Sequence, residues 1–277
     1  MKSCVTISLV PSLKGGPWIL WDNLEKSLQT ASQIGFDGVE LFTQGASVES
    51  EKPLDELLSQ YNLTLGAVGT GAGKVIHGLS LTDKDANVRS DAKLFIKEMI
   101  SFGANFNAPT ILGSMQGSFC EQVDRETARS YLRESLEELG DHALSHGTFF
   151  IYEPLNRYET NLFNLFGEAC RFCKNLNTNG VKVLADLFHM NIEEEDIAAT
   201  IKPNANMLGH VHFADSNRKP VGCGHTDMKP ICDCLKEINY SGYVSAEAFA
   251  FPDPETAAKQ TLQSFRKFFY PTDIQSV

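Results

Sequence analysis

Four short apolar runs of this chain each carry, at or beside their last residue, a side chain able to ligate a metal. They are TFFIYE (Glu153), VKVLAD (Asp186), MLGHVHF (His212) and YVSAE (Glu247). The four residues are separated by 33, 26 and 35 positions, so one arrives with each strand-plus-helix unit. A parallel strand buried on both faces reads as a continuous apolar run, and packing alone gives no reason to end it in a carboxylate or an imidazole. The carboxyl ends of parallel strands are where an α/β barrel keeps its chemistry. An open, doubly wound sheet would not naturally bring four consecutive strand ends to one point. The pattern therefore predicts an enzyme with one divalent ion at the mouth of a barrel.

The rest of the chain fits that frame. Earlier strand candidates are Cys4–Leu9, Gly38–Phe42, Leu63–Val68 and Pro109–Gly113, making eight with the four above. Helical patterns follow them at Leu24–Ile34, Leu54–Tyr61, Asp85–Phe102 and Arg125–Ser145, then at Leu162–Leu176, Ile192–Ile201, Met228–Ile238 and Pro254–Phe269. No Pro/Gly/Ser linker interrupts the series, and α/β barrels need about 250 residues. The expectation is a single α/β domain over residues 1–277, a (β/α)8 TIM barrel.

Composition removes other classes. A net charge of −11 argues against nucleic-acid partners, which call for a basic surface. Nothing approaches the roughly 18 apolar residues of a membrane span. The N-terminal MKSCVTISLVPSLKGGPW carries too short an apolar run for a signal peptide. Seven scattered cysteines, an odd number, fit reduced thiols and a cytoplasmic location. Cys170 and Cys173 form a C-x-x-C without a second well-spaced pair, so helix packing explains them better than zinc.

Strand periodicity orders the site. Glu153 shares a face with Ile151 and Phe149, Asp186 with Leu184, His212 with His210 and Leu208, and Glu247 with Ser245 and Tyr243. Three carboxylates gathered without a counter-charge would repel one another, and a divalent cation is the natural remedy. Three carboxylates and one imidazole suit a hard or borderline ion such as Mn²⁺, Mg²⁺ or Co²⁺ better than a thiolate site would. Salt bridging to barrel arginines is the plainer alternative, but few basic residues fall near these strand ends. His210 is expected behind the ligands and not among them.

At these motifs the chain resembles a known family. YEPLNRYETN (152–161), ADLFHMN (185–191), GHVHFADSNR (209–218) and AEAF (246–249) resemble the motifs of ketose 3-epimerases. These form the D-tagatose/D-psicose 3-epimerase group of the xylose-isomerase-like sugar isomerase/epimerase superfamily, which GFDGVELF (35–42) also fits. The resemblance implies Glu153, Asp186, His212 and Glu247 as metal ligands, with Glu153 and Glu247 doubling as the acid–base pair. It implies that Glu159, His189 and Arg218 hold the carbonyl end of the sugar. Epimerising carbon 3 of a ketose means removing a proton beside a carbonyl and returning it on the opposite face, with a cation stabilising the enediolate. Asp215, in the loop of Arg218, either orients that arginine or touches substrate.

Neighbouring chemistries share this frame. An aldose–ketose or hydroxypyruvate isomerase would move the proton between carbons 1 and 2. An endonuclease IV-type enzyme needs a trinuclear zinc cluster with early histidines, and only His77 precedes His142 here. A non-catalytic sugar-binding barrel would not need two flanking glutamates. GTGAGK (69–74) fails the phosphate-loop template, yet its backbone offers a place for a sugar phosphate. Trp18, Trp21 and Phe249 are aromatic pocket candidates by loop position. The expected partner is a small sugar or sugar phosphate, in a homodimer or homotetramer.

Overall fold

The computed structural model describes residues 1–21 and 23–270; Asp22 and positions 271–277 of the expected domain lie outside the described residues. The first half runs β1 (Lys2–Ser8), α1 (Leu24–Ile34), β2 (Gly38–Phe42), α2 (Leu54–Gln60), β3 (Thr64–Gly69), α3 (Ala72–His77), α4 (Ala86–Ala104) and β4 (Thr110–Leu112). The second half runs α5 (Arg125–Ser145), β5 (Phe150–Tyr152), α6 (Phe166–Lys174), β6 (Val181–Asp186), α7 (Leu187–Glu193), α8 (Ile197–Ile201), β7 (Leu208–His212), α9 (Met228–Glu237), β8 (Tyr243–Ala246) and α10 (Pro254–Phe269). The strands close in sequence order, β1 through β8 and back to β1, every pair parallel. This is the expected (β/α)8 barrel, and no described helix is long and apolar enough to cross a membrane.

Local chemistry sets the helix starts. Asp or Asn side chains accept a backbone N–H at the heads of α1, α4, α5, α7, α8, α9 and α10, which satisfies donors that a helix end leaves open. The periodic apolar face of α5, with Leu132, Leu136, Leu139 and Ala143, is fully buried against the sheet. Inside the barrel a separate small core forms from Ala67, Ile111, Ile151 and Leu184, with Phe149 against it. That layer is the floor beneath the candidate ligands.

Several expectations change in detail. Glu153 and Glu247 stand one residue past β5 and β8, whereas Asp186 and His212 are the last residues of β6 and β7. The helix expected over 192–201 is two helices, α7 and α8, because Asp186 and Asp196 each cap a new start. Glycine-rich 69–74 turns into the short α3, which the sequence pattern does not suggest. Leu208 does not share the inward face of His210 and His212. Val183 pairs with Leu208 but Leu184 pairs with His210, so a bulge at Gly209 resets the alternation and sends Leu208 into the core between sheet and helices.

Candidate active site

The four strand-end residues converge. Glu153, Asp186, His212 and Glu247 each offer one ligand atom, and these atoms lie within 4.8 Å of one another. His212 Nδ1 is 3.2 Å from Asp186 Oδ2, 3.3 Å from Glu153 Oε1 and 3.7 Å from Glu247 Oε2. Asp186 and His212 are each 1% exposed and Glu153 5%, so the charges face one another with little water to screen them.

Electrostatics record the crowding. Burial, with Glu247 and Asp186 close by, pushes the Glu153 carboxyl up to about 7 despite the opposing pull of His212. Burial would lower the imidazole of His212, but Glu40, Glu247, Asp186 and Glu153 together hold it well above its ordinary value. Asp186 sits well below the usual carboxylate range: burial opposes this, and His189, His212 and Arg218 outweigh it. The His212 imidazole thus stands as the nearest positive partner of the Glu153 and Asp186 carboxylates. Glu153 Oε1 is nonetheless buried with no hydrogen-bond partner. A hard or borderline divalent ion suits this donor set: three carboxylates, and a Nδ1 that becomes a lone-pair donor once its proton leaves. Gly113 makes room for the Glu153 carboxylate, because a Cβ there would stand 2.7 Å from Glu153 Oε2.

A second acid lies behind His212. Glu40, in the middle of β2, accepts a hydrogen bond from His212 Nε2 at 3.2 Å and from His210 Nε2 at 2.9 Å. The carboxylate–imidazole pair fixes His212 with Nε2–H outward and Nδ1 toward the cluster. Burial works against the Glu40 charge, and the His212 charge with both hydrogen bonds holds the carboxyl well below its usual range. His210, expected behind the ligands, instead joins Glu40 and His212 in a second group whose ligand atoms lie within 4.8 Å of one another, and sequence reasoning misses Glu40. The one signal was an acid inside the apolar GFDGVELF run, where solvent exposure could not explain it.

The residues implied for sugar binding stand beside the cluster. His189 is not on a loop as expected. It sits in the first turn of α7, where Asp186 Oδ1 accepts from Phe188 N and His189 N at 2.8 and 3.1 Å. Asn156 Nδ2 donates to His189 Nδ1 at 2.7 Å, so the imidazole proton is on Nε2. That Nε2 is buried without a hydrogen-bond partner, 3.7 Å from Asp186 Oδ2. It is a donor waiting for an acceptor. Arg218 has a positive φ of 57° and reaches Glu247 Oε2 at 2.6 Å and Glu159 Oε1 at 3.4 Å, with its Nε buried and unpaired. Arginine pairing, set aside in the sequence, is thus realised for Glu247 alone among the four. The loop is held by Asp215, whose carboxylate accepts from the backbone of Ser216, Gly222 and Thr226 at 2.8–3.0 Å. Asp215 therefore shapes the turn that presents Arg218.

Glu153, Glu159, His212, Arg218 and Glu247 line a cavity of about 180 Å³ together with Trp18, Phe42, Thr70, Gly71 and Val75, while Asp186 and His189 lie behind its surface and are not among the lining residues. Trp18 joins it as its loop position suggests, while Trp21 and Phe249 do not. Lys74 is also absent from the lining, and Arg218 is the one Lys or Arg among the lining residues.

Fold and site together define a class: α/β barrels with a candidate cation site of three carboxylates and one imidazole beside a cavity of about 180 Å³. The profile of the xylose isomerase-like TIM-barrel family matches residues 28–268, and the chain belongs to that family. It is 31% identical over 246 residues to D-psicose 3-epimerase of Agrobacterium fabrum strain C58, covering 86% of this chain and 80% of that protein. A 3-dehydro-D-guloside 4-epimerase of Escherichia coli K12 is 35% identical over 139 residues, 50% of this chain and 53% of that protein. The fold matches a structure of D-psicose 3-epimerase with D-tagatose from Clostridium cellulolyticum H10, with TM-score 0.80 and 24% identity, over 97% of this chain and 99% of that one.

Proposed function

We propose that the chain epimerises an unphosphorylated ketose at carbon 3, using one divalent ion, Mn²⁺ before Mg²⁺ or Co²⁺, held by Glu153, Asp186, His212 and Glu247. The observation that carries this reading is the convergence of those four ligand atoms within 4.8 Å. The bound ion supplies Lewis acidity to the charge that develops on sugar oxygens. Glu153 and Glu247 arrive from strands five and eight and serve as the acid–base pair. Two carboxylates on opposite sides of a bound sugar can exchange the roles of base and acid. His189 donates from its free Nε2–H to a sugar oxygen, and Arg218 and Glu159 hold neighbouring hydroxyls at the carbonyl end. The one lining cation, Arg218, is already engaged by Glu247 and Glu159, which favours an unphosphorylated sugar.

The test is solvent deuterium incorporation with Mn²⁺ added. Label should appear at carbon 3 of a ketose product, with carbon 1 unlabelled. Glu153→Gln and Glu247→Gln should each lower exchange by at least about 10²-fold. Label at carbon 1 or 2 of an aldose would instead establish the isomerase chemistry.

A further inference from the structure

Beside the metal-facing cavity, on the same end of the barrel, lies a second hollow of about 590 Å³, bordered by the loops after β1 and β2. The two hollows share a wall. Phe42 lines the first and Thr43 the second; Val75 lines the first and His77 the second. Between them Trp18 lies on Phe42 with ring centroids 4.2 Å apart, and Trp21 meets Trp18 edge-on at 5.5 Å. Trp21 lines the second hollow, and its indole N–H donates to Trp18 O at 2.5 Å, which fixes the plane of the ring.

The lining has a definite chemistry. Gln44, Ser47, Glu49 and His77 contribute polar side chains that make no hydrogen bond of their own among the described residues. Among the described lining residues there is neither Lys nor Arg, and Glu49 is the one acid. A fixed indole face with amide, hydroxyl, carboxylate and imidazole groups around it suits an uncharged polyhydroxylated ring: the apolar face of the ring covers the indole and its hydroxyls meet the polar rim. A phosphate or carboxylate finds no counter-charge there. Position supplies the link to the substrate. In a barrel closed in strand order, the β1 and β2 ends face the β5 and β6 ends, which carry Glu159 and His189. A ketose held by its carbonyl end on that side points its far end at Trp18 and Phe42, toward the second hollow.

We propose that this hollow is a subsite for a second sugar ring, and that the preferred substrate is an uncharged, disaccharide-sized ketose glycosylated at its end remote from the carbonyl. This rests on the epimerase reading above. Trp21 stacks the outer ring, and Gln44, Glu49 and His77 bind its hydroxyls. A site built to hydrogen-bond a group discriminates against the analogue that lacks it.

The experiment compares fructose with 6-O-glucosyl-fructose, and tagatose with its 6-O-glucosyl derivative, by metal-dependent deuterium exchange at carbon 3. The expected result is a kcat/KM at least about 10-fold higher for the glucosylated member of each pair. Trp21→Ala should bring that ratio down to near one. The exposed double variant Gln44→Ala/Glu49→Ala should lower the ratio too, and it guards against misfolding of the tryptophan variant. Exchange that is equal within a pair, or faster for the free ketose, overturns the second subsite while leaving the epimerase reading intact. A ratio that neither variant changes overturns it as well. Absence of metal-dependent exchange with all four sugars sinks the epimerase reading itself, and the subsite assignment with it.

Discussion

Replacing Glu40 by Gln tests whether the acid behind His212 governs the cation site. In the wild type one carboxylate accepts from two imidazole Nε2–H groups, at 2.9 Å from His210 and 3.2 Å from His212. An amide offers one oxygen and one NH₂, so in either orientation one imidazole N–H faces another N–H. That ring must move its proton to Nδ1 or leave a buried donor unpaired. If the ring is His212, the Nδ1 lone pair turned toward the carboxylates is lost. Changing a group that orients a metal-binding histidine typically costs about 10–100-fold in metal affinity, or roughly 1.4–2.8 kcal/mol. Metal-free stability should fall as well, because removing one partner of a buried charge pair costs about 3–5 kcal/mol. At about 2–4 °C per kcal/mol for a chain of this size, the apo melting temperature should drop by roughly 6–20 °C. Chelator-competition titration with Mn²⁺ and scanning calorimetry of the metal-free protein read the two effects separately. Gln is nearly isosteric with Glu, so a residue that only fills space would show neither. Wild-type metal affinity together with an unchanged apo melting temperature would refute the assignment.

Metal affinity should depend steeply on pH. Below about pH 7 an incoming ion must displace a proton from Glu153 and another from His212, and above it only the latter, so affinity should change about 100-fold per pH unit below 7 and tenfold above, by calorimetric titration. The metal-free protein should show the opposite trend in stability. Glu153 is raised from 4.5 to about 7 on folding, so its contribution is fully present below 4.5 and is lost, by up to about 3 kcal/mol, as pH climbs to 7; denaturant melts of EDTA-treated protein across that window check the sign. Gly113→Ala should lower exchange at least about 10-fold, because its Cβ displaces the Glu153 carboxylate from 2.7 Å contact and small misplacements of reacting groups are costly; a steady-state rate equal to wild type would remove the claim that this glycine makes room for the carboxylate.

The barrel and its candidate ligands were legible because fully buried strands read as apolar runs, and a charge ending such a run stands out. Glu40 was not. Its partners lie 170 and 172 residues away, and nothing local marks an acid in the middle of GFDGVELF as paired. Leu208 was assigned the wrong face because alternation holds only until a bulge, and Gly209 alone does not announce one. The helix α7 was hidden because ADLFHMN reads as a strand end followed by a loop unless Asp186 is recognised as a cap. The contact of Arg218 with Glu247 depends on a turn of positive φ held by Asp215, which spacing along the chain does not encode.

Asp186 constrains how this site can evolve. Its Oδ1 holds the first turn of α7 and its Oδ2 faces the cluster, so one side chain serves both the helix that carries His189 and the proposed cation site. Asn would keep the cap and surrender the charge, while Glu would keep the charge and move the capping oxygen out of reach. A lineage adjusting its ion by substitution here would therefore also shift the imidazole three residues on. Drift in metal preference is left to the other strand ends, where Glu153 and Glu247 begin no helix and can change with less consequence for the sugar.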